Sequence, residues 1–360
     1  MRPCADVVRH AGEDFAVRES TGGAGNSLPT GAAVYDAGLD VKQISGVLCC
    51  GNVSYDIPVW PVDRFQWGTT LWVQEIDHSL GGNGANTAYT LAKLGTPVRL
   101  FGMIGSDEQG VHVLDELQNA GVDTLGIGKC EGPSNSSICV VHPTGDRLFL
   151  HRLGASTQLT PEAIALETAP RDSYSHFHLA NPYALPKVRV VAGSVMERAK
   201  AAGLTTSIDT AWDAKGLWFQ ELGPCLPHTD LLFVNESESK MLSGFEDPAQ
   251  ACAFFREHGA TDVVVKLGPA GCIVFHGEDT HQLPAFPIVA KDTTGAGDCF
   301  SGAFLAALAH GFSWPDAGRF ANAVGAMKVE RLGAIRGVRS FDETLAWMAS
   351  RVSTESAPAS

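Results

Sequence analysis

Short apolar runs rich in β-branched residues alternate along the chain with longer stretches whose apolar positions recur at helical spacing. The pattern predicts a buried strand at 46–53, a helix at 86–94, a strand at 98–103 and a helix at 108–120 closed by Gly121. After the middle the rhythm returns: strands at 176–180, 204–209, 231–234 and 263–266, a helix at 188–202 ended by Gly203, and an apolar helix at 299–312. Such alternation predicts an α/β fold, a mainly parallel central sheet with helices on both faces. Two regions break it, 59–78 and 137–152. In the second, Arg147, Leu148, Phe149, Leu150 and His151 alternate beside the turn Pro143, Thr144, Gly145, Asp146, which predicts an antiparallel hairpin. A small β-sheet lid, with hairpins near 54–80 and 136–153, is therefore expected over a site at the strand ends.

Domain limits follow from the same pattern. Residues 47–352 read as one domain. The segment 1–46, with Gly22, Gly23, Gly25, Asn26 and Ser27, reads as a flexible extension, and 353–360 as a disordered tail.

Charge narrows the function classes. The 360-residue chain carries 26 Lys plus Arg against 40 Asp plus Glu, a formal net charge of −14, and no basic tract, which disfavours nucleic acid and anionic membranes as partners. The apolar runs fall short of the roughly 20 residues a bilayer needs. Nine Cys are scattered without a C-x-x-C pair, so neither a disulfide framework nor a thiolate zinc site is expected, and a cytoplasmic location is. His176 and His178 share a strand face by alternation but make only half a zinc site.

Two glycine-rich segments carry the chemistry. Asp292, Thr293, Thr294, Gly295, Ala296, Gly297 and Asp298 lead straight into the apolar helical run. Glycines before a helix let backbone N–H groups converge where the helix dipole is positive, which suits phosphate oxygens. A carboxylate there suggests a proton acceptor for an attacking hydroxyl; the plainer alternative is a helix cap. The second segment, Gly81, Gly82, Asn83, Gly84, Ala85 and Asn86, also enters a helix, and Asn86 offers a donor and an acceptor to a polyhydroxyl compound. It fails as a dinucleotide fingerprint, and the chain has no G-x-x-x-x-G-K-[ST] loop and no G-x-S-x-G elbow.

Together these residues resemble the ribokinase-like, or PfkB, family of carbohydrate kinases from Val47 to about Ser340. The resemblance implies a ribokinase-like αβα fold and ATP-dependent phosphorylation of a sugar hydroxyl, with a nucleoside kinase or a catalytically silent sugar or nucleotide sensor as alternatives. It implies Asp298 as catalytic base beside the amides of Gly295, Ala296 and Gly297. Asp56, Gly81, Gly82, Asn83 and Asn86 would hold the sugar, with Arg147 reaching from the lid. Asn235 and Glu238 form the N-x-x-E pair that organises Mg²⁺ through water. Lys266, Gly268 and Gly271 lie in the loop near the nucleotide phosphates, and Asn322 in the helix bordering the adenine. Asp292, Thr294 and the 329–333 turn resemble a monovalent-cation site, usually potassium. Asn83 departs from the pattern, because ribokinase and phosphofructokinase-type relatives commonly carry Lys there. Trp60, Trp67 and Trp72 near the lid suggest a lid interface, and a homodimer is expected.

Overall fold

The structure, a computed structural model, describes residues 44–170 and 172–355; of the flexible-extension and tail readings, 1–43 and 356–360 fall outside it. Its strands are β1 (Val47–Gly51), β2 (Ser54–Trp60), β3 (Glu75–Ile76), β4 (Ser79–Gly81), β5 (Val98–Gly105), β6 (Ile127–Cys130) and β7 (Asn135–Val141). They continue as β8 (Arg147–Arg152), β9 (His176–Ala180), β10 (Thr205–Asp209), β11 (Leu231–Asn235), β12 (Asp262–Lys266), β13 (Cys272–His276) and β14 (Asp279–Leu283). Nine of them form one sheet in the order β14-β13-β12-β11-β10-β9-β1-β5-β6. Pairing is parallel from β12 through β6, and only β13 and β14 run antiparallel.

The helices are α1 (Asn83–Lys93), α2 (Glu108–Asn119), α3 (Pro186–Arg189), α4 (Ala192–Ala201), α5 (Phe219–Leu222), α6 (Glu236–Ser243), α7 (Pro248–Glu257), α8 (Ala296–Ala309), α9 (Trp314–Val329) and α10 (Phe341–Glu355). The continuous apolar runs of the central strands exist because both faces are covered. Val47 and Cys49 of β1 face a core shared with Leu91 of α1, Leu117 of α2, Phe304 of α8 and Phe320 of α9. Leu48 and Cys50 face the opposite core, with Val188 of α3, Val195 of α4, Leu242 of α6 and Phe255 of α7.

Several boundaries move for identifiable reasons. The ordered domain begins before 47: Ile44 is buried, and Gly46 O accepts from the amides of Ser175 and His176 at 3.1 and 3.2 Å. It also runs past 352, because α10 continues to Glu355. The helix expected at 188–202 is two, since Val191 leaves helical geometry (φ −130°, ψ 19°) next to Arg189, whose guanidinium is held by Asp213 and Glu221. Helices α1 and α8 each start three residues early, because Gly82 and Gly295 supply N-caps with φ of 90° and 72° that other residues rarely adopt.

The lid is a second sheet in the order β3-β2-β7-β8, with β4 also on β2. Strands β7 and β8 form the expected antiparallel hairpin, closed by the His142 amide on Asp146 O at 2.7 Å. The 54–80 region is antiparallel in β2 with β3 and β4, whereas β2 and β7 pair in parallel, a contact no hairpin reading anticipates. The alternation in β8 does not bury one face: every residue of it is exposed, Leu148 and Leu150 included.

Candidate active site

The carboxyl ends of five parallel strands converge on one crevice, the usual ligand position in an open α/β sheet. Asn52 follows β1, Asn181 follows β9, Asp209 ends β10, Asn235 ends β11 and Lys266 ends β12. Helices α1 and α8 enter the same crevice with their N-termini.

Asp298 lies in the first turn of α8 and is buried. Its Oδ1 accepts from Asn83 Nδ2 at 2.7 Å and its Oδ2 from Asn86 Nδ2 at 2.8 Å. The cap alternative fails, because the N-cap is Gly295 and no side chain caps the helix. Burial raises the Asp298 pKa and the nearby Asp209 charge adds to that, while the Asn86 and Asn83 amides and the Lys266 ammonium oppose it. Asn181, a non-glycine residue in the left-handed region (φ 52°), donates from Nδ2 to Asn83 Oδ1 at 2.8 Å. Asn86 Oδ1 and Asn181 Oδ1 are buried without a protein partner. Buried acceptors are seldom left so, and these two suit the donors of a bound polyol.

Asp56 is buried on β2, where Ser54 Oγ donates to its Oδ1 at 2.8 Å. Ser137 Oγ lies 2.7 Å from His151 Nδ1 and extends this polar cluster into the lid hairpin. Burial is the chief reason the Asp56 pKa rises to about 6, against the Ser54 and Ser137 hydroxyls. Gly81 packs directly on it: a Cβ there would stand 2.0 Å from Asp56 Oδ2. Gly82 is equally confined, with Asn52 O 2.6 Å from such a Cβ.

Behind the α8 loop sits a buried charge cluster. Lys266 Nζ donates to Asp209 Oδ1 and Oδ2 at 2.6 and 2.9 Å, and Ser301 Oγ donates to Asp209 Oδ2 at 2.7 Å. A Cβ on Gly297 would lie 3.3 Å from Lys266 Nζ, so the ammonium adjoins the loop whose amides face the crevice. Glu238 and Asn235 form a capping box on α6. Glu238 Oε1 accepts from Asn235 Nδ2 at 2.7 Å, and Oε2 accepts from Thr210 Oγ1 at 2.8 Å and Asn235 N at 3.0 Å. Burial raises the Glu238 pKa and Lys266 opposes it. These are hard oxygen donors already engaged by protein hydrogen bonds, which fits Mg²⁺ held through water rather than by direct ligation.

Gly268 and Gly271 flank the turn after β12 with φ of 56° and 96°. Asn322 of α9 spends its amide on Leu283 O and Pro284 O, both at 3.1 Å, so it acts by fixing that chain segment. Arg147 does not point at a free pocket: its guanidinium donates to Thr293 Oγ1, and Thr293 donates to Gly145 O at 3.3 Å, latching the lid tip onto the α8 loop. His176 and His178 are structural. Both reach Ser207 Oγ at 2.7 Å, and burial drops both pKa values to about 3. Among the described residues no group of three or more His, Cys, Asp or Glu is placed to hold a metal ion.

The segments expected to hold a monovalent cation do meet, around a buried lysine. Asp292 is fully buried, with its Oδ1 accepting from Thr294 N and its Oδ2 from Gly333 N, both at 2.8 Å. The 329–333 turn does meet this loop, as the amides of Lys291 and Asp292 bond Val329 O. A cation is already there, however: Lys328 Nζ, fully buried, donates to Asp292 O at 2.6 Å and stands 3.9 Å from Asp292 Oδ2. A second unit charge about 4 Å from that ammonium would be repelled by about 4 kcal/mol at an effective dielectric constant of about 20.

Asn52, Asn181, Asp209, Ser301 and Lys328 are the site residues that sequence reasoning missed. For Asn181 and Asp209 the available signal was position, a polar residue at or just after the end of an apolar parallel strand. Lys328 gave none, since a lysine near a helix C-terminus reads as solvated.

A parallel-sheet core with a β-lid, and an anion-binding helix start bearing a buried carboxylate, define the class: a phosphotransferase acting on an alcohol oxygen. The chain belongs to the pfkB family of carbohydrate kinases, whose model matches residues 47–340. It is 29% identical over 307 residues to the ATP-dependent ribose-1-phosphate kinase of Halopiger xanaduensis, covering 85% of this chain and 98% of that one. It is 27% identical over 287 residues to the ribokinase of Haemophilus influenzae, covering 78% and 91%. A solved E. coli protein, provisionally named Ribokinase II and bound to ATP and Mg²⁺, superposes with a TM-score of 0.76 at 25% identity, covering 85% of this chain and 99% of that chain.

Proposed function

We propose that this carbohydrate kinase transfers the γ-phosphoryl group of ATP to a sugar hydroxyl with Asp298 as general base. The observation that carries the proposal is the Asp298 carboxylate, buried at the start of α8 between two amide donors. As the hydroxyl oxygen bonds to the γ-phosphorus in line, its proton passes to Asp298 and the bond to the ADP oxygen breaks. Asn83 and Asn86 favour the charged form of Asp298 against the upward push of burial, and the amides of 295–298 face the charge on the transferring group. Asp56, with Asn86 Oδ1 and Asn181 Oδ1, accepts the sugar hydroxyls. Glu238 and Asn235 would hold Mg²⁺ through water, where it offsets the charge of the phosphates. Lys266 and the turn from Gly268 to Gly271 border the nucleotide, with α9 and Asn322 behind. Arg147, on Thr293, keeps the lid down and water out.

The same reading takes the protein as a cytoplasmic homodimer. The eight described cysteines are free thiols. Among the described residues no helix is long and apolar enough to cross a membrane. The lid exposes Trp67, Trp72, Ile76, Leu148 and Leu150, which a second copy would cover.

Sugar-dependent ADP release, screened over pentoses, hexoses, sugar acids, sugar phosphates and nucleosides, tests the function. Release with one sugar at wild-type Asp298 supports it. Phosphorylation of nucleosides alone, or no release with any compound alongside normal sugar-induced thermal stabilisation, would replace it with a nucleoside kinase or a silent sensor.

A further inference from the structure

The one fully buried lysine ammonium among the described residues lies directly behind the loop that carries the proposed base. Its surroundings tie three chain segments together. Asp292 O takes the Lys328 proton donor, Asp292 Oδ1 and Oδ2 take the amides of Thr294 and Gly333, and Val329 O takes the amides of Lys291 and Asp292. The α8 N-cap is packed onto the same turn: a Cβ on Gly295 would lie 2.6 Å from Ala334 O. Nothing here faces substrate. What the cluster fixes is the course of 292–295, and hence where the helix-start amides and Asp298 stand.

The fully buried Asp292 carboxylate calls for a compensating positive charge, and Lys328 Nζ stands 3.9 Å from its Oδ2. We infer that the Lys328 ammonium is that charge, a tethered cation that takes the place of a dissociable monovalent ion, so that this kinase positions its phosphoryl-transfer loop without potassium. Lys328 is thus a positioning residue. A side chain delivers its charge whatever the salt; burial lowers the Lys328 pKa and the Asp292 charge opposes that, and a second cation beside the ammonium would be repelled. Its amine carries donors and no acceptor, and it donates to Asp292 O with Asp292 Oδ2 3.9 Å away.

The inference rests on the kinase reading for its rate measurements, so it is tested by a thermal readout as well. For the wild-type full chain, sugar-dependent ADP release in KCl, NaCl and choline chloride at one ionic strength should agree within about twofold. Unfolding temperature should likewise not distinguish potassium from choline. Lys328→Ala opens space and removes the charge, and should lose roughly 10²-fold in kcat in choline, with sugar KM little changed, because the loop is misplaced rather than the sugar site. Potassium or ammonium should restore much of that loss and raise the variant's unfolding temperature. Lys328→Met removes the charge while filling the space, and should not be rescued by either ion.

Potassium activation of the wild type by more than about fivefold, or a potassium-specific rise in its unfolding temperature, would overturn the inference. So would a Lys328→Ala variant as active in choline as the wild type. If Lys328→Ala does not fold, the wild-type comparison alone decides between the outcomes. If no sugar is phosphorylated in any salt, the kinase reading fails while the thermal comparison still answers whether the loop takes a free cation.

Discussion

Asn83 and Asp298 are separated by 215 residues in sequence, yet the Asn83 amide donates to the Asp298 carboxylate at 2.7 Å. The residue that departs from the family's common lysine therefore touches the proposed base itself. A neutral amide supports the charged carboxylate without neutralising it, as an ammonium in its place would tend to do.

Replacement of Asp298 by Asn separates catalysis from folding. The side chain caps nothing, so α8 should persist. Turnover should fall by roughly 10²–10⁴-fold, since an amide cannot take the proton. Calorimetric affinity for a non-hydrolysable ATP analogue should be unchanged or tighter, and near-normal turnover would remove Asp298 from the mechanism.

Sugar affinity should depend on pH through Asp56. Its folded-state pKa of about 6 lies above the ordinary carboxylate range. For stability, the contribution of this group is therefore present at low pH and is lost as pH rises through about 6. For binding the sign reverses, because only the ionised form makes charge-assisted bonds to hydroxyls. Calorimetry without nucleotide should show sugar affinity weakening as pH falls below about 6, and Asp56→Asn should bind weakly with that slope abolished.

Gly81→Ala puts a methyl group where the Asp56 carboxylate stands, 2.0 Å from Oδ2. The carboxylate has to move away from Ser54. Sugar KM should rise at least about tenfold with a smaller effect on kcat, as expected when binding common to ground and transition states is lost. Equal KM values for variant and wild type would place the sugar elsewhere.

The Lys266 and Asp209 pair is buried, so breaking it singly should be costly. Lys266→Met should destabilise the fold by about 3–5 kcal/mol, because Asp209 is left charged and without its partner. The double variant Lys266→Met, Asp209→Asn should recover a large part of that loss in chemical denaturation. Strict additivity of the two single effects would mean the pair is not coupled.

Covering the lid predicts its assembly. Light scattering should return twice the 38.1 kDa chain mass. Leu148→Glu with Leu150→Glu, both exposed on β8, should shift it toward the monomer. A monomeric wild type at micromolar concentration would leave the lid face without a second copy.

Much of this was legible in the sequence because it depends on short-range rules. Apolar runs of the central strands follow from burial on both sheet faces, which β1 shows residue by residue. Gly82 and Gly295 announce helix starts since a positive φ is a property of single residues, and Asp298 was found by its distance from such a start. The Asn235 to Glu238 capping box is likewise local, whereas Asp56 was singled out by the family resemblance alone.

Tertiary structure decided what depends on distant segments meeting. Neither Asn181 nor Asp209 stands in a motif, and each becomes part of the site only because parallel strands end together at the crevice. The parallel pairing of β2 with β7 and the exposure of both faces of β8 are set by what lies across the lid, not by alternation along a strand. Lys328 shows the limit most sharply. The family resemblance marked Asp292, Thr294 and the 329–333 turn as a cation site, but only the packing of the end of α9 against that loop places the Lys328 ammonium there, 36 residues along the chain from the Asp292 carbonyl it bonds.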